Sequence, residues 1–319
     1  MKLYFFPSSL SLPLACSLLL ATLGAREAQG CASCGCSLSS TWDTYGYSTA
    51  PGFKLDAIYS YIDQEQLRTG IHKISPSQVP LGQELEKSTR TSTETLGLSY
   101  DFSADWGITL QAPLVSRDHA TLGNDHMSFD HSSITTLGDM KLLGRYQGLL
   151  SDHSLGFELG LKLPTGKFDQ TFESGAALDR GLQAGTGTTD LIAGVYYFGE
   201  LGADWGYFGE AIVQTAFDSR EQYRPGTAEN LTAGLRYMGF GRIMPQLQIN
   251  GRIAGRDTGL QSDNFDTGGS LVYVSPGVAV DISETASAYA FVQIPVYQNV
   301  NGYQLSPTWT LTVGMRISF

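Results

Sequence analysis

Long apolar runs are scarce in this sequence. The only one lies between Leu10 and Ala25, whereas a helical multispan membrane protein needs repeated runs of about 20 residues. Basic residues are also few: 20 Lys and Arg stand against 31 Asp and Glu, a formal net charge of −11. Such a chain lacks the positive electrostatic potential that attracts the phosphate backbone of a nucleic acid. The sequence therefore excludes a membrane-spanning helix bundle and argues against nucleic acid as a partner.

Charged residues make up only 16 % of the chain, whereas aromatic residues reach 11 %. A disordered chain has the opposite balance, so this one can bury a core. The sequence contains no G-x-S-x-G elbow, H-E-x-x-H, phosphate-binding loop or dinucleotide fingerprint. We therefore expect a folded protein that is not an enzyme.

The first 30 residues have the pattern of a secretion leader. Lys2 precedes the apolar run, and Ala28 and Gly30 place small residues at the first and third positions before a cleavage point. We predict that residues 1–30 are a signal peptide, that residues 31–50 form a Cys-bearing periplasmic segment or plug, and that residues 51–319 form the main domain.

Three cysteines follow the leader as C-x-x-C-x-C, namely Cys31, Cys34 and Cys36. In an oxidising compartment one disulfide would leave one thiol for a partner, a metal or an acyl group. Thiolates this close together suit copper or zinc, although three ligands do not close a tetrahedral zinc site. A disulfide, a metal contact and lipidation at Cys31 all remain open.

From Phe53 onward the chain alternates apolar and polar residues with a period of two, which is typical of strands. In the last segment Trp309, Leu311 and Val313 share one face, whereas Thr310 and Thr312 share the other. We count about twelve such segments, near 53–63, 90–102, 107–117, 138–148, 155–164, 188–199, 206–217, 228–238, 244–256, 269–282, 286–297 and 308–319.

Short links alternate with long ones along these segments. The short links are two or three residues at positions such as 104–105 and 150–152, whereas the long ones include 64–89, 118–137, 165–187 and 298–307. An even number of strands with short turns at one end and long loops at the other is typical of outer-membrane barrels. The predicted fold is therefore all-β, a transmembrane up-and-down antiparallel barrel of about 12 strands with both termini in the periplasm.

The chain resembles Gram-negative outer-membrane β-barrels in ending on Phe319 after an alternating apolar strand, which is similar to the C-terminal insertion signal of that class. The resemblance implies the barrel-assembly machinery and outer-membrane lipid as partners. More narrowly, LKLPTG at 161–166 followed by GTGTTDL at 185–191 resembles the meta-pathway phenol-degradation type of barrel. Members of that family are treated as outer-membrane transporters, which implies passage of a small solute.

The polar face of the predicted strands would line the lumen. Basic residues slightly outnumber acidic ones there, which favours anionic or electron-rich solutes, although the charges could instead pair across the lumen and fill it. The candidate pore-lining residues are Lys54, Asp56, Glu94, Lys141, Arg145, Glu158, Lys162, Glu210, Arg236, Arg252 and Arg316.

Three Asp-His pairs fall within the long link 118–137, although the chain has only five histidines. Imidazole and carboxylate together suit zinc, copper or nickel, and a carboxylate can orient a ligating histidine. A polar surface loop would have the same composition without binding metal. The candidate metal residues are Asp118, His119, Asp125, His126, Asp130 and His131.

Taken together, these patterns predict an outer-membrane transporter or porin-like channel for a small solute that is anionic, aromatic or metal-linked. The alternative is an outer-membrane anchor whose Cys segment binds a metal or a periplasmic redox or metal-carrier protein. No cofactor is certain from the sequence, and a transition metal, copper or zinc, is the candidate.

Overall fold

The computed structural model describes residues 51–319, and the predicted leader and the Cys segment lie outside this range. The described range contains two short 3-10 helices, at Pro76–Gln78 and Arg180–Leu182. Within the described residues, no helix is long and apolar enough to cross a membrane. The strands are β1 (Gly52–Gly70), β2 (His72–Lys73), β3 (Leu85–Asp101), β4 (Trp106–Leu122), β5 (Phe129–Leu137), β6 (Met140–Tyr146), β7 (Leu155–Leu163), β8 (Asp190–Leu201), β9 (Trp205–Ala216), β10 (Ala228–Tyr237), β11 (Ile243–Ala254), β12 (Gly269–Asp281) and β13 (Ala286–Ser318).

The sheet is antiparallel and closed, because β13 pairs with β12 and also with β1. The first limb of β13, up to Val300, pairs with β12, and the second limb, from Val300 onward, pairs with β1. The element therefore reverses direction, at Gly302, whose φ of 46° suits glycine. An added Cβ at Gly314 would lie 2.2 Å from Tyr289 Cε1, so the two limbs lie side by side.

Twelve strands cross the barrel when β13 is counted as two. Strands β5 and β6 follow each other along one edge of β4, separated only by Gly138 and Asp139, and so make one crossing. The two-residue β2 pairs only with the C-terminal end of β1, at Arg68 and Thr69. The prediction of a closed antiparallel barrel of about twelve strands is confirmed.

Outward faces are apolar and inward faces polar, as predicted. On β3 the outward side chains of Leu96, Leu98 and Tyr100 are exposed, whereas the alternate positions Ser99 and Asp101 are buried. Trp106 and Trp205 begin β4 and β9 and contact Tyr146 and Tyr237 at the end of the barrel that carries the short turns. Aromatic side chains at this depth are typical of the lipid–water interface.

Two of the predicted long links are wrong, because strands continue through them. Strand β4 runs to Leu122 and β5 begins at Phe129, so most of 118–137 is sheet. The link 298–307 is the tight turn of β13. Strand β1, with 19 residues, is also longer than the roughly 10 residues that a membrane-spanning strand needs. Strands β1, β3, β4, β5 and β13 thus form a wall that rises beyond the apolar band.

Candidate channel lumen

The barrel encloses a cavity of about 320 Å³, which we call the chamber. Its walls come from the inward faces of the strands, and part of its outer side comes from residues 164–189, which we call the inserted loop. Apolar and charged side chains both line the chamber, and they occur on the same strands, as with Lys141 and Leu143 on β6. The apolar group includes Ile58, Ile62, Val115, Leu143, Ile192 and Ile212, and the charged group includes Arg117, Asp139, Lys141, Glu158, Lys162, Arg180, Asp190, Arg252 and Asp257.

Lys162 on β7 joins the inserted loop to the barrel wall. Its Nζ donates to Asp139 Oδ2 at 2.7 Å and lies 3.3 Å from Asp190 Oδ1, and all three side chains are buried. It also donates to the Thr188 carbonyl at 2.9 Å and to the Thr186 hydroxyl. A buried ammonium thus neutralises two buried carboxylates and fixes the returning limb of the loop.

Asp139 holds both limbs of the inserted loop from the short break between β5 and β6. Its Oδ1 accepts from the Gly166 amide at 3.0 Å, and its Oδ2 accepts from the Thr186 amide at 2.9 Å. Thr165 fills the break, because its Oγ1 accepts from the Met140 amide at 2.8 Å and donates to the Gly138 carbonyl at 3.1 Å. The two short sequence motifs therefore build the base of the loop.

Glycine is required where the two limbs of the loop meet. An added Cβ at Gly185 would lie 2.5 Å from the Gly166 carbonyl oxygen, and one at Gly166 would lie 2.8 Å from the Gly138 carbonyl carbon. These neighbours are backbone atoms that cannot rotate away. Gly166 and Gly185, one from each of the paired motifs, thus allow close approach of two chain segments.

Arg117 on β4, which pairs with β5 and β6, also holds the inserted loop. Its Nη1 donates to the Leu182 carbonyl at 2.5 Å and to the Gln183 carbonyl at 3.3 Å, and its Nε donates to Thr91 Oγ1 at 3.0 Å. Leu182 packs with Phe172 and Leu178 in a buried apolar cluster. The loop is thereby held inside the barrel, where Gln183 and Ala184 line the chamber.

Two chamber cations are incompletely paired. Lys141 has no hydrogen-bond or ion-pair partner within residues 51–319, and its register partner on β7 is another cation, Lys162. Arg252 donates from Nη1 to Asn230 Oδ1 at 3.0 Å, but its buried Nε has no partner in the described part of the chain. These groups give the chamber donors that a solute with an acceptor or an anionic group can use.

The end of the lumen nearest the described termini is filled by side chains. Asp101 accepts from both Lys54 and Arg145, and all three are buried. Arg316 binds Asp56 in a bidentate pair, at 2.6 and 2.9 Å. Buried inward aromatic side chains complete this layer, namely Tyr196, Phe208, Tyr289 and Phe291.

Ten of the eleven predicted pore-lining residues occupy inward positions, and Glu94 does not. Glu94 is exposed on the outward face of β3 with Leu96, between its register partners Tyr59 and Leu114. The assignment of Glu94 to the lumen is therefore wrong: its neighbours Thr93 and Thr95 line the chamber instead. Of the other ten, Lys141, Glu158, Lys162 and Arg252 reach the chamber, whereas Lys54, Asp56, Arg145, Glu210, Arg236 and Arg316 lie elsewhere along the inward face.

The three Asp-His pairs do not form one site, although Asp118 of the first pair contacts His131 of the third. His131 contacts Asp118 at 2.9 Å and Glu173 at 3.2 Å on the outer face, whereas His119 points inward and is fully buried. Asp125 accepts backbone amides within its own turn, His126 contacts the Gln83 carbonyl at 3.0 Å, and Asp130 accepts from Ser174. Among the described residues, no group of three or more His, Cys, Asp or Glu side chains has the arrangement to hold a metal ion. Alternation alone separates these residues, because Asp118 and His119 point to opposite faces.

Sequence reasoning missed Arg117, Asp139 and the inward course of the inserted loop. Asp139 lies at the start of the predicted strand 138–148, and Arg117 ends the predicted strand 107–117. The signal that could have located them is the Gly- and Thr-rich pair of motifs, since close approach of two backbones demands glycine. Cys31, Cys34 and Cys36 lie outside the described residues, so their role stays a prediction.

Solved structures with this architecture are outer-membrane β-barrels. The barrel superposes on an outer-membrane channel from Pseudomonas putida F1 with a TM-score of 0.66 at 12% identity, covering 86% of this chain and 98% of that one. The β domain of the Bordetella autotransporter BrkA gives 0.50 at 15% identity, covering 84% and 100%. The monoaromatic hydrocarbon channel CymD gives 0.49 at 8% identity, covering 84% and 89%.

No family model and no curated protein matches the sequence. The likeness is thus one of fold, and it agrees with the closed sheet, the apolar exterior and the polar interior described above. The chain has the fold of the bacterial outer-membrane β-barrel channels.

Proposed function

We propose that this protein is an outer-membrane channel that passes a small, partly apolar solute bearing an anionic or electron-rich group. The observation that carries the proposal is the chamber, which is closed by side chains at one end and by a pinned loop at the other. A cavity of about 320 Å³ falls in the range of small-molecule sites. Its lining of both apolar and charged side chains fits a solute with one apolar part and one polar part.

The charge pattern supports an acidic group on the solute. Lys162 is already neutralised by Asp139 and Asp190. Lys141 and the Nε of Arg252 remain available within residues 51–319, and both residues line the chamber. An anion that passes these side chains exchanges its hydrogen bonds to water for charge-assisted hydrogen bonds to the protein. The apolar side chains Ile192 and Ile212 can contact the rest of the solute.

The size and lining of the chamber also limit the solute. A twelve-stranded barrel is narrower than the open porins of sixteen or more strands, and the layer around Asp101 narrows it further. A solute with one or two rings fits better than an oligosaccharide. Passage requires movement of the inserted loop at one end and rearrangement of the ion-paired layer at the other.

Uptake into proteoliposomes tests the proposal with two probes of equal ring size, benzoate and benzyl alcohol. We expect both to enter faster than into protein-free vesicles, and we expect Lys141→Met to slow benzoate roughly tenfold while sparing benzyl alcohol, because one charge-assisted contact is worth about 1.5 kcal/mol. The matched control is Lys167→Met, on an exposed lysine. Protein-independent uptake of both probes would contradict the channel, and equal slowing of both by Lys141→Met would contradict the anion contact.

A further inference from the structure

The layer that closes the inner end of the lumen differs from one side of the barrel to the other. On the side formed by β1, β3 and β6 its buried side chains are ion-paired, with Asp101 accepting from both Lys54 and Arg145. On the side formed by β11 and the first limb of β13, the buried inward side chains include uncharged amides. We call three of them the amide sector: Gln246, Gln248 and Gln293.

The strand register places the amide sector at the depth of this layer. Gln248 on β11 lies in one row with Phe208 on β9, and the residue between them on β10 is a glycine. Gln246 lies in one row with Phe291 on β13, and the residue between them on β12 is also a glycine. Glycine has no side chain to separate each ring from its glutamine. Since both phenylalanines belong to the closing layer, the glutamines of β11 belong to it as well.

The amide sector carries hydrogen-bonding groups that no described residue satisfies. The Nε2 atoms of Gln248 and Gln293 and both amide atoms of Gln246 are buried without a partner within residues 51–319. Gln248 Oε1 accepts from Asn250 Nδ2 at 3.3 Å, and Asn250 Oδ1 accepts from the Ser275 hydroxyl at 2.6 Å. Unsatisfied buried amides are costly. Each of these groups would gain a hydrogen bond on meeting water or a solute.

The amide sector also continues the chamber along β11. Arg252 lines the chamber, and its buried Nε has no partner in the described part of the chain. Gln248 and Gln246 lie on the same inward face, about 13 and 20 Å from Arg252 along the strand, at a rise of about 3.3 Å per residue. The three side chains thus form a row of donors that runs from the chamber into the closing layer.

We propose that solute leaves the chamber through the amide sector, where its oxygen acceptor passes from Arg252 to Gln248 and then to Gln246 while the ion pairs of the layer stay closed. The exit presupposes the proposed channel and specifies which part of the closing layer rearranges. Separating the ion-paired side would leave buried charges without a counter-charge. Separating the amide sector instead frees donors that bond to water or to a solute carboxylate, so the lower barrier lies along β11.

Cysteine accessibility of the full chain in proteoliposomes locates the exit. Gln248→Cys is inward, whereas Leu247→Cys replaces a lipid-facing side chain that is 52% exposed. Both positions fall in the tryptic peptide 243–252, which has no native cysteine, so mass spectrometry of this peptide counts modification by a negatively charged methanethiosulfonate. Thr312→Cys is the buried inward control, on the second limb of β13 that pairs with β1.

We expect Gln248→Cys to react about tenfold faster than either control, because only the amide sector opens, and we expect benzoate to slow the reaction. Equal rates at Gln248→Cys and Thr312→Cys would overturn the proposed exit. An unreactive Gln248→Cys in vesicles that take up benzoate would also overturn it, but would leave the channel standing. Reaction at Gln248→Cys without benzoate uptake would contradict the channel and still support opening of the amide sector.

Gln246→Leu combined with Gln248→Leu removes the donors without adding a cysteine. We expect benzoate uptake to fall about tenfold, because the acceptor of the solute loses its hydrogen bonds in the closing layer. The urea midpoint should not fall, since buried unsatisfied amides are removed with the side chains. Thr312→Val is the matched control and should change neither quantity. Unchanged benzoate uptake by the double variant would contradict the proposed exit.

Discussion

Lys162 shows how one buried charge can organise a lumen. It alternates with apolar neighbours on β7 like any inward residue of a barrel, yet its ammonium contacts two carboxylates and two loop residues at once. Buried ion pairs add little net stability when complete, because desolvation offsets attraction. Removing one partner is different, since the other charges are left buried and uncompensated.

We therefore expect Lys162→Met to lower the free energy of unfolding by about 3 kcal/mol, because Asp139 and Asp190 lose their counter-charge. Urea unfolding in lipid vesicles, followed by tryptophan fluorescence, measures this change. Lys167→Met removes an exposed lysine from the same loop and should leave the urea midpoint unchanged. Equal midpoints for the two variants would show that Lys162 does not hold the loop.

Most of the inward side chains of the lumen can be predicted from the alternation of apolar and polar residues alone. Lys141, Glu158 and Lys162 were placed inward from their positions in alternating strands, and the structure has them there. Glu94 was misplaced because polar residues occupy both faces of β3 beyond Leu96, so polarity no longer distinguishes inside from outside. Asp139 was missed because the break that positions it depends on contacts with residues 27 and 47 positions away, Gly166 and Thr186.

Among the elements, the inserted loop is the one that differs most from a simple barrel. Its limbs leave β7 and return to β8 through two glycines in backbone contact, and between them the chain reaches Arg117 on β4. The loop was expected as a long link, but its inward course could not be derived from alternation. Long loops of this length are often functional.

Gly185→Ala should open the base of the loop, because its Cβ would lie 2.5 Å from the Gly166 carbonyl oxygen. Gly209→Ala is the matched control, since its nearest neighbour would be Thr232 O at 3.7 Å, an ordinary contact. We expect faster tryptic cleavage after Lys167 or Arg180 in Gly185→Ala only. Unchanged cleavage in both variants would mean that the close approach is not needed to fix the loop.

The position of a strand segment relative to the lipid determines whether the alternating pattern of apolar and polar residues can locate it. Where the outward face meets lipid, the alternation is strong and every crossing was located. Beyond the apolar band both faces meet water or loops, as at Ser116 and Thr135, so the pattern fades although the hydrogen-bonded ladder continues. This is why residues 118–137 were predicted as a loop.

An arginine on the outward face of a strand tests the lipid contact of that face. Leu159 is central on β7 and 62% exposed, so Leu159→Arg should cost about 2–4 kcal/mol of folding free energy in bilayers. Ser133→Arg, on the outward face of β5 above the band, should cost much less. The comparison uses urea unfolding in vesicles of one lipid, and equal costs would contradict the position of the apolar band.

For the molecule as a whole, the chamber is closed towards the described termini by the Lys54, Asp101 and Arg145 layer and towards the outer mouth by the inserted loop. Such a barrel differs from an open porin, since a solute must displace protein contacts at both ends.

The central claim is that solute travels through the chamber, and a pair of adjacent substitutions on β9 tests it. Ile212 points into the chamber and Val213 points outward, so Ile212→Trp fills the path whereas Val213→Trp adds the same bulk to the lipid face. Benzoate uptake into proteoliposomes is the measurement. The account predicts that Ile212→Trp abolishes most of the uptake while Val213→Trp leaves it near the unaltered rate; equal uptake by the two variants would contradict it.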